Sequence, residues 1–272
     1  MPSPYVIGVD AGHGGSPTSD PTQLWDPGVV VGSVKEKDIT LDLAMRLRAL
    51  LQKERVKVVM TRTRDEYVEI SERWNRVQAG GSKMFVSLHV NAFDGDPSIN
   101  GETIFYPRPD SLPLAQAIDA GLVQSLKSYQ IADDGVAPKP ELWVHSDIPT
   151  ATVEPVYLTN PREAALLLQS DFRDAIAQGV FNGLLAADPL IETTRQQIER
   201  AEAAQAAQRR ADAAAADEAS RNSTAARWGA IIGGLALLWI LSRLLVRRQA
   251  AEPRLPAYRR RNYRRRRSNL RR

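Results

Sequence analysis

The chain has 272 residues, a quarter of them charged, with a formal net charge of +4, three histidines and no cysteine. Without thiols there is no disulfide framework, thiolate metal ligand or cysteine nucleophile, although a domain of this size can be stable outside the cell without disulfides. From Arg247 onward twelve arginines face the single acid Glu252, which puts +11 in the tail and about −7 in the rest, so nucleic acid is not the expected partner of the body.

About 190 residues of mixed apolar and polar sequence come first, enough for one core. Strand and helix patterns alternate through them, which predicts an α/β layer fold. The run from Tyr5 to Asp10 reads as a buried strand leading into Gly12-His13-Gly14-Gly15. After a long loop, Asp38 to Glu54 spaces Ile39, Leu43, Leu47, Leu50 and Leu51 as a helix. A second strand follows over Arg55 to Thr61, a helix over Ile70 to Ala79, and a third strand from Met84 that ends at His89. Thr103 to Tyr106 predicts a fourth strand and Leu112 to Tyr129 an amphipathic helix. Leu142 to Val144 and Thr150 to Val153 read as two further short strands, and helices over Arg162 to Leu168 and Asp171 to Ala187 close the domain, taken as residues 1–189.

Residues 190–227 are rich in alanine, glutamine, glutamate and arginine, with no aliphatic side chain larger than alanine after Ile198. Such a segment favours helix but has no face to bury, so the expectation is a solvated stalk or linker rather than a coiled coil. Residues 228–246, Trp228 to Val246, are nineteen mostly apolar residues, long enough as a helix to span about 28 Å, with Arg243 able to snorkel near one end. A single transmembrane helix is expected, carrying a Gly229/Gly233 GxxxG pattern. The Arg-rich tail, 247–272, then fits a positive-inside anchor on membrane lipid better than a nucleic-acid arm. This orientation makes a single-pass cell-membrane protein with a cytoplasmic tail and an outward-facing N-terminal domain. The first twenty residues show no charged n-region, apolar h-region or cleavage site. Three arrangements stay open: a start further upstream, translocation by the last helix, or a catalytic part that is cytoplasmic until lysis.

Two of the three histidines, His13 and His89, stand at strand ends, where open α/β sheets build their sites. With Glu36 and Glu154 they suggest a metal site and its base. Each has a plainer reading: a loop histidine making one hydrogen bond, a first-turn acid for Glu36, a salt-bridged carboxylate for Glu154. His145 reads as a rim residue, Asn91 and Asn160 as loop holders, and Arg62 and Arg73 as partners of buried acids.

The order of five blocks then discriminates among these readings. Val9-Asp10-Ala11-Gly12-His13-Gly14-Gly15, Glu36-Lys37-Asp38-Ile39-Thr40-Leu41, Thr61-Arg62-Thr63-Arg64-Asp65, Ser87-Leu88-His89-Val90-Asn91-Ala92, and Val153 to Asn160 together resemble the zinc-dependent N-acetylmuramoyl-L-alanine amidases of the family-3 type over about residues 5–187. The resemblance implies a mixed, mostly parallel central sheet with helices on both faces, and Zn2+ held by His13, Glu36 and His89 with a fourth position open. It also implies that Glu154 is the catalytic acid/base and that peptidoglycan is the substrate, cleaved between the lactyl group of N-acetylmuramic acid and L-alanine. A low-turnover peptidoglycan-binding scaffold and a phage-type lysin are the alternatives. The chain departs from the family pattern in the long segment between His13 and Glu36, with Pro17, Pro21 and Pro27, and at Gln78, Pro155 and Tyr157, which bears on substrate preference more than on metal binding. No long insert separates His89 from Glu154, so autoinhibition by a blocking helix there is not expected.

Overall fold

A computed structural model describes residues 2–17 and 24–250. The chain divides between Gln205 and Ala206 into two compact units. The first contains a six-stranded sheet of β1 (Val6–Ala11), β4 (Lys57–Met60), β5 (Met84–Leu88), β6 (Glu102–Tyr106), β7 (Asp133–Pro138) and β8 (Thr150–Glu154), in the order β4-β1-β5-β8-β6-β7. Every neighbouring pair is parallel except β6 with β8. A small hairpin, β2 (Val30–Val31) and β3 (Val34–Lys35), stands apart.

Side-chain alternation along the strands sorts the core into two layers. Ile7, Val9 and Ala11 of β1, Met84, Val86 and Leu88 of β5, and Ala151 and Val153 of β8 share one apolar cluster with helices α1 (Glu36–Lys53), α3 (Leu112–Leu126) and α5 (Ser170–Ala187). Phe85 points the other way, to Trp74 and Val77 of α2 (Ile70–Ala79), with Trp143 and Ile148 beside them. A mixed sheet with flanking helices is therefore present, an α/β arrangement as the alternating pattern predicted and a mixed sheet as the family resemblance implied. A short helix, α4 (Pro161–Leu167), begins at Asn160, whose side chain accepts from the Arg162 and Glu163 amides as an N-cap.

The strand expected at Leu142 to Val144 does not form. These residues lie in a turn, with Trp143 at φ 52°, its indole donating to Thr152 Oγ1 at 3.2 Å and its ring edge-on to Phe85 at 4.6 Å. One inward-facing aromatic makes the triplet look strand-like without any ladder. The strand in this region is β7 instead, which occupies the sheet edge. Its two aspartates, glycine and terminal proline resemble a turn in sequence but are tolerated on an edge strand.

The last helix, α6, runs Leu190–Ala250. Within the first unit its opening turns pack inward: Ile191 and Ile198 are buried, and Arg195 pairs with Glu54. In the second unit every described side chain is exposed, including Trp228, Leu235, Trp239 and Val246. This part contains a stretch long and apolar enough to cross a membrane by length and composition, with Arg243 over the Trp239 ring at 5.2 Å. The arginine run beyond Ala250 lies outside the described residues.

Candidate metal centre and crevice

Register brings the candidate residues together. In adjacent parallel strands Ala11 pairs with Leu88 and Leu88 with Val153, so β1, β5 and β8 end side by side. His13 follows the first, His89 follows the second, and Glu154 ends the third. Glu36 arrives from the side as the first residue of α1, where the helix N-terminus favours a carboxylate.

Three side chains meet in a small triangle, with both oxygens of Glu36 taking part. His13 Nε2 lies 3.1 Å from Glu36 Oε2, His89 Nδ1 lies 3.1 Å from Glu36 Oε1, and the two ring nitrogens are 3.1 Å apart. Donors about 2.0–2.1 Å from a tetrahedral zinc are roughly 3.3 Å from each other, so the triangle has the right size. Two imidazoles and one carboxylate leaving a position open are also the donor set of a catalytic rather than a structural site.

The surroundings fix these donors. Asp26 Oδ2 lies 2.7 Å from His13 Nδ1, while its other oxygen accepts from the Gly28 amide at 3.0 Å. With a metal ion held at Nε2, this contact would keep the proton on Nδ1 and aim the Nε2 lone pair at the ion. Glu36 is buried, and its two oxygens accept from the Val90 and Val29 amides. Burial raises the Glu36 carboxyl, but hydrogen bonds from His13 and His89 and the charges of both rings outweigh it and hold the group well below the usual carboxylate range. Burial depresses His89, yet Glu36, Glu154 and Asp10 together push it up to about 9.

Behind the triangle, Arg73 donates to Asp10 Oδ1 at 2.7 Å, to the Ala11 carbonyl and to the His13 carbonyl, holding His13 at φ 60°. Thr61 and Ser87 complete the partners of Asp10. Arg62 departs from the expectation of an acid partner. It is fully buried and donates to the Ala11, Gly12, Lys37 and Arg64 carbonyls, so backbone oxygens rather than an acid satisfy it. Arg73→Met should destabilise the fold by about 3 kcal/mol or more, because Asp10 is left buried and uncompensated. Thermal unfolding of the two proteins measures this.

A close approach explains one glycine. A Cβ on Gly12 would sit 2.5 Å from Cε1 and Nε2 of His89. Gly12→Ala should displace the ring and, if these residues hold a metal ion, weaken its binding on the order of 10- to 100-fold, read by competition with a chromophoric chelator. Similarly, a Cβ on Gly28 would meet Glu36 Oε2 at 2.5 Å.

The two histidines of the triangle line a crevice of about 320 Å3, with Glu36 buried behind them. His13, His89 and Glu154 reach it, Tyr67, Ile70 and Trp143 supply apolar walls, and Lys139 and Glu141 are polar lining groups. Glu154 Oε2 is buried with no hydrogen-bond partner. Burial, with the nearby Glu36 charge, pushes this carboxyl up to about 7 against the pull of His89, Lys139 and His13. An unpartnered carboxylate oxygen on the same crevice as these histidines suits proton transfer to and from bound molecules. His145 lines a neighbouring depression with Trp143 rather than this crevice, and Asn91 accepts from the Ala92 amide in the loop after β5. Asp26 and Trp143 were missed by sequence reasoning. Asp26 stands in a proline-flanked loop with no pattern around it, and its contact with His13 depends on the antiparallel bridge between Gly14 and Asp26.

His13, Glu36 and His89, gathered at the ends of parallel strands, are a donor set that could hold a metal ion. The family model for N-acetylmuramoyl-L-alanine amidase matches residues 7–186, and the chain belongs to that family. It is 28% identical to N-acetylmuramoyl-L-alanine amidase LytC of Bacillus subtilis over 66% of this chain and 35% of that protein. It is also 28% identical to the endolysin of Bacillus phage SPP1, over 66% of this chain and 64% of that one. Thus the chain spans about a third to two thirds of the length of these two relatives. Among solved structures, the amidase AmiC2 of Nostoc punctiforme superposes with a TM-score of 0.62 at 26% identity, covering 68% of this chain and 98% of that one.

Proposed function

We propose that the protein is a zinc-dependent N-acetylmuramoyl-L-alanine amidase that hydrolyses the bond between the lactyl group of N-acetylmuramic acid and L-alanine in peptidoglycan. The observation that carries the reading is the 3.1 Å triangle of His13, Glu36 and His89, whose two histidines share one crevice with Glu154. His13, Glu36 and His89 would hold the ion. When bound, zinc supplies Lewis acidity to the amide oxygen and makes water acidic enough to attack near neutral pH. The chain's own residues supply the rest. Glu154 Oε2 takes a proton from water and returns it to the departing amine, the step an amide needs because its nitrogen leaves poorly as an anion. Tyr67, Ile70 and Trp143 offer apolar surface to the substrate, while Asp26 keeps His13 in its working tautomer.

The proposed base must be ionised, so activity is lost as pH falls through its pKa. A cation beside Glu154 favours the ionised form, which puts the acidic limb of kcat/KM at or below about 7. A pH profile on a soluble muropeptide checks this. Digestion of purified peptidoglycan by the full chain in detergent tests the activity. Free stem peptides with a new L-alanine amino group support it, and tight binding without released peptide favours the scaffold reading.

The proposal extends to location: Trp228 to Val246 spans the cell membrane once, the Arg-rich tail is cytoplasmic, and residues 1–189 act outside, linked by residues 190–227. The exposed apolar face of the second unit supports the membrane span. Similarity to a phage endolysin favours a second topology, storage inside the cell until lysis, with the same chemistry. Protease shaving of intact cells separates the two: outward domains are digested and stored ones are protected.

A further inference from the structure

We propose that Glu102, Asp119 and Asp133 form a second cation site, for a calcium-type divalent ion, which pins α3 to the starts of β6 and β7. Glu102 opens β6 and is the ladder partner of Asp133, which opens β7, and the register of this pair shifts immediately after Glu102. Asp119 comes from α3. One carboxylate oxygen of each lies within 4.8 Å of the others.

The burial of these groups points to an ion. Glu102 is 1% exposed, yet neither of its oxygens meets an N–H or O–H donor, nor does the buried Oδ1 of Asp119; the only group each carboxyl faces at hydrogen-bonding range is the other's carboxyl. Among the described residues no lysine or arginine makes a salt bridge to any of the three. Buried carboxylates are normally paired, coordinated or neutralised. Burial, with Asp119, Asp133 and Asp134 nearby, pushes Glu102 up to about 9, so a proton is the ion's competitor there.

Donor chemistry selects the ion. All three ligands are carboxylate oxygens, with no imidazole or thiolate, which suits a hard cation. Asp133 is exposed and Asp119 partly so, leaving an open side where water completes the six to eight oxygens that calcium accepts in irregular geometry. Magnesium demands a tighter octahedron. The consequence reaches the crevice wall, because Thr103, next to Glu102, is the ladder partner of Glu154.

None of this rests on the zinc reading, since the residues and strands' ends involved are separate from His13, Glu36 and His89. The test uses the full chain in detergent, zinc held constant, stripped with a calcium-selective chelator and titrated with calcium chloride by calorimetry and thermal unfolding. One saturable site is expected, with the Tm raised by roughly 5 °C at about 100-fold the Kd and less by magnesium. Glu102→Gln and Asp119→Asn should lose the response, and Glu102→Gln without calcium should be about as stable as the calcium-free wild type, because the amide replaces a carboxyl that already carries a proton there. A flat wild-type titration to about 10 mM, well above the weakest calcium modules, would leave a proton as the occupant and overturn the site. Equal responses in wild type and Glu102→Gln would overturn it as well.

Discussion

Glu154→Gln is expected to lower kcat roughly a hundred- to ten-thousand-fold, the range that one positioned proton carrier supplies. The side chain keeps its shape and hydrogen-bonding reach but can no longer accept a proton. Its fold should persist: burial already pushes the Glu154 carboxyl up to about 7, so an uncharged amide costs little there. Zinc content should also be unchanged, because the residue is outside the 3.1 Å triangle. The combination is diagnostic when kcat and bound zinc are measured on one preparation. A group acting only through packing would lower the Tm, whereas a proton carrier lowers kcat alone.

The second large effect concerns the triangle. His89→Ala, His13→Ala and Glu36→Gln are each expected to weaken zinc binding by more than the roughly 10- to 100-fold typical of losing an outer hydrogen-bond partner, and to abolish measurable turnover. Glu36→Gln is the most informative of the three. Glutamine retains one acceptor oxygen but turns an amide donor toward either an imidazole or a backbone N–H, at a position where both carboxylate oxygens accept from the Val29 and Val90 amides. This variant should therefore lose metal and some stability together. Metal analysis after dialysis, alongside thermal unfolding, distinguishes it from Glu154→Gln, which should lose neither.

His13 and His89 were readable in the sequence because each follows a short buried strand, and adjacent parallel strands ending in register deliver their next residues to one edge. Glu36 needed the block resemblance, since an acid in a first helical turn has a common structural explanation. Helix α2 agreed with its pattern from Ile70 to Ala79 because Arg73, Trp74 and Val77 define one buried face. β7 was illegible for the opposite reason: an edge strand is held by backbone ladder bonds to β6, and its Asp-Asp-Gly start carries no apolar alternation. Asp26 and Trp143 escaped because their contacts span the fold through turns, Asp26 by bridging to Gly14 and Trp143 by reaching Phe85 and Thr152. The packing of Ile191 and Ile198 shows the same limit, as two isolated aliphatics in an alanine-rich helix do not reveal where the core ends.

The most direct measurement is digestion of purified peptidoglycan by the zinc-loaded full chain in water enriched in oxygen-18, followed by mass spectrometry of the products. One heavy oxygen in the newly freed lactyl carboxylate is expected, with a free amino group on L-alanine and no label incorporation after chelation or in Glu154→Gln. An intact lactyl-alanine bond in the zinc-loaded wild type, or label at a sugar carbon instead, would contradict the amidase reading.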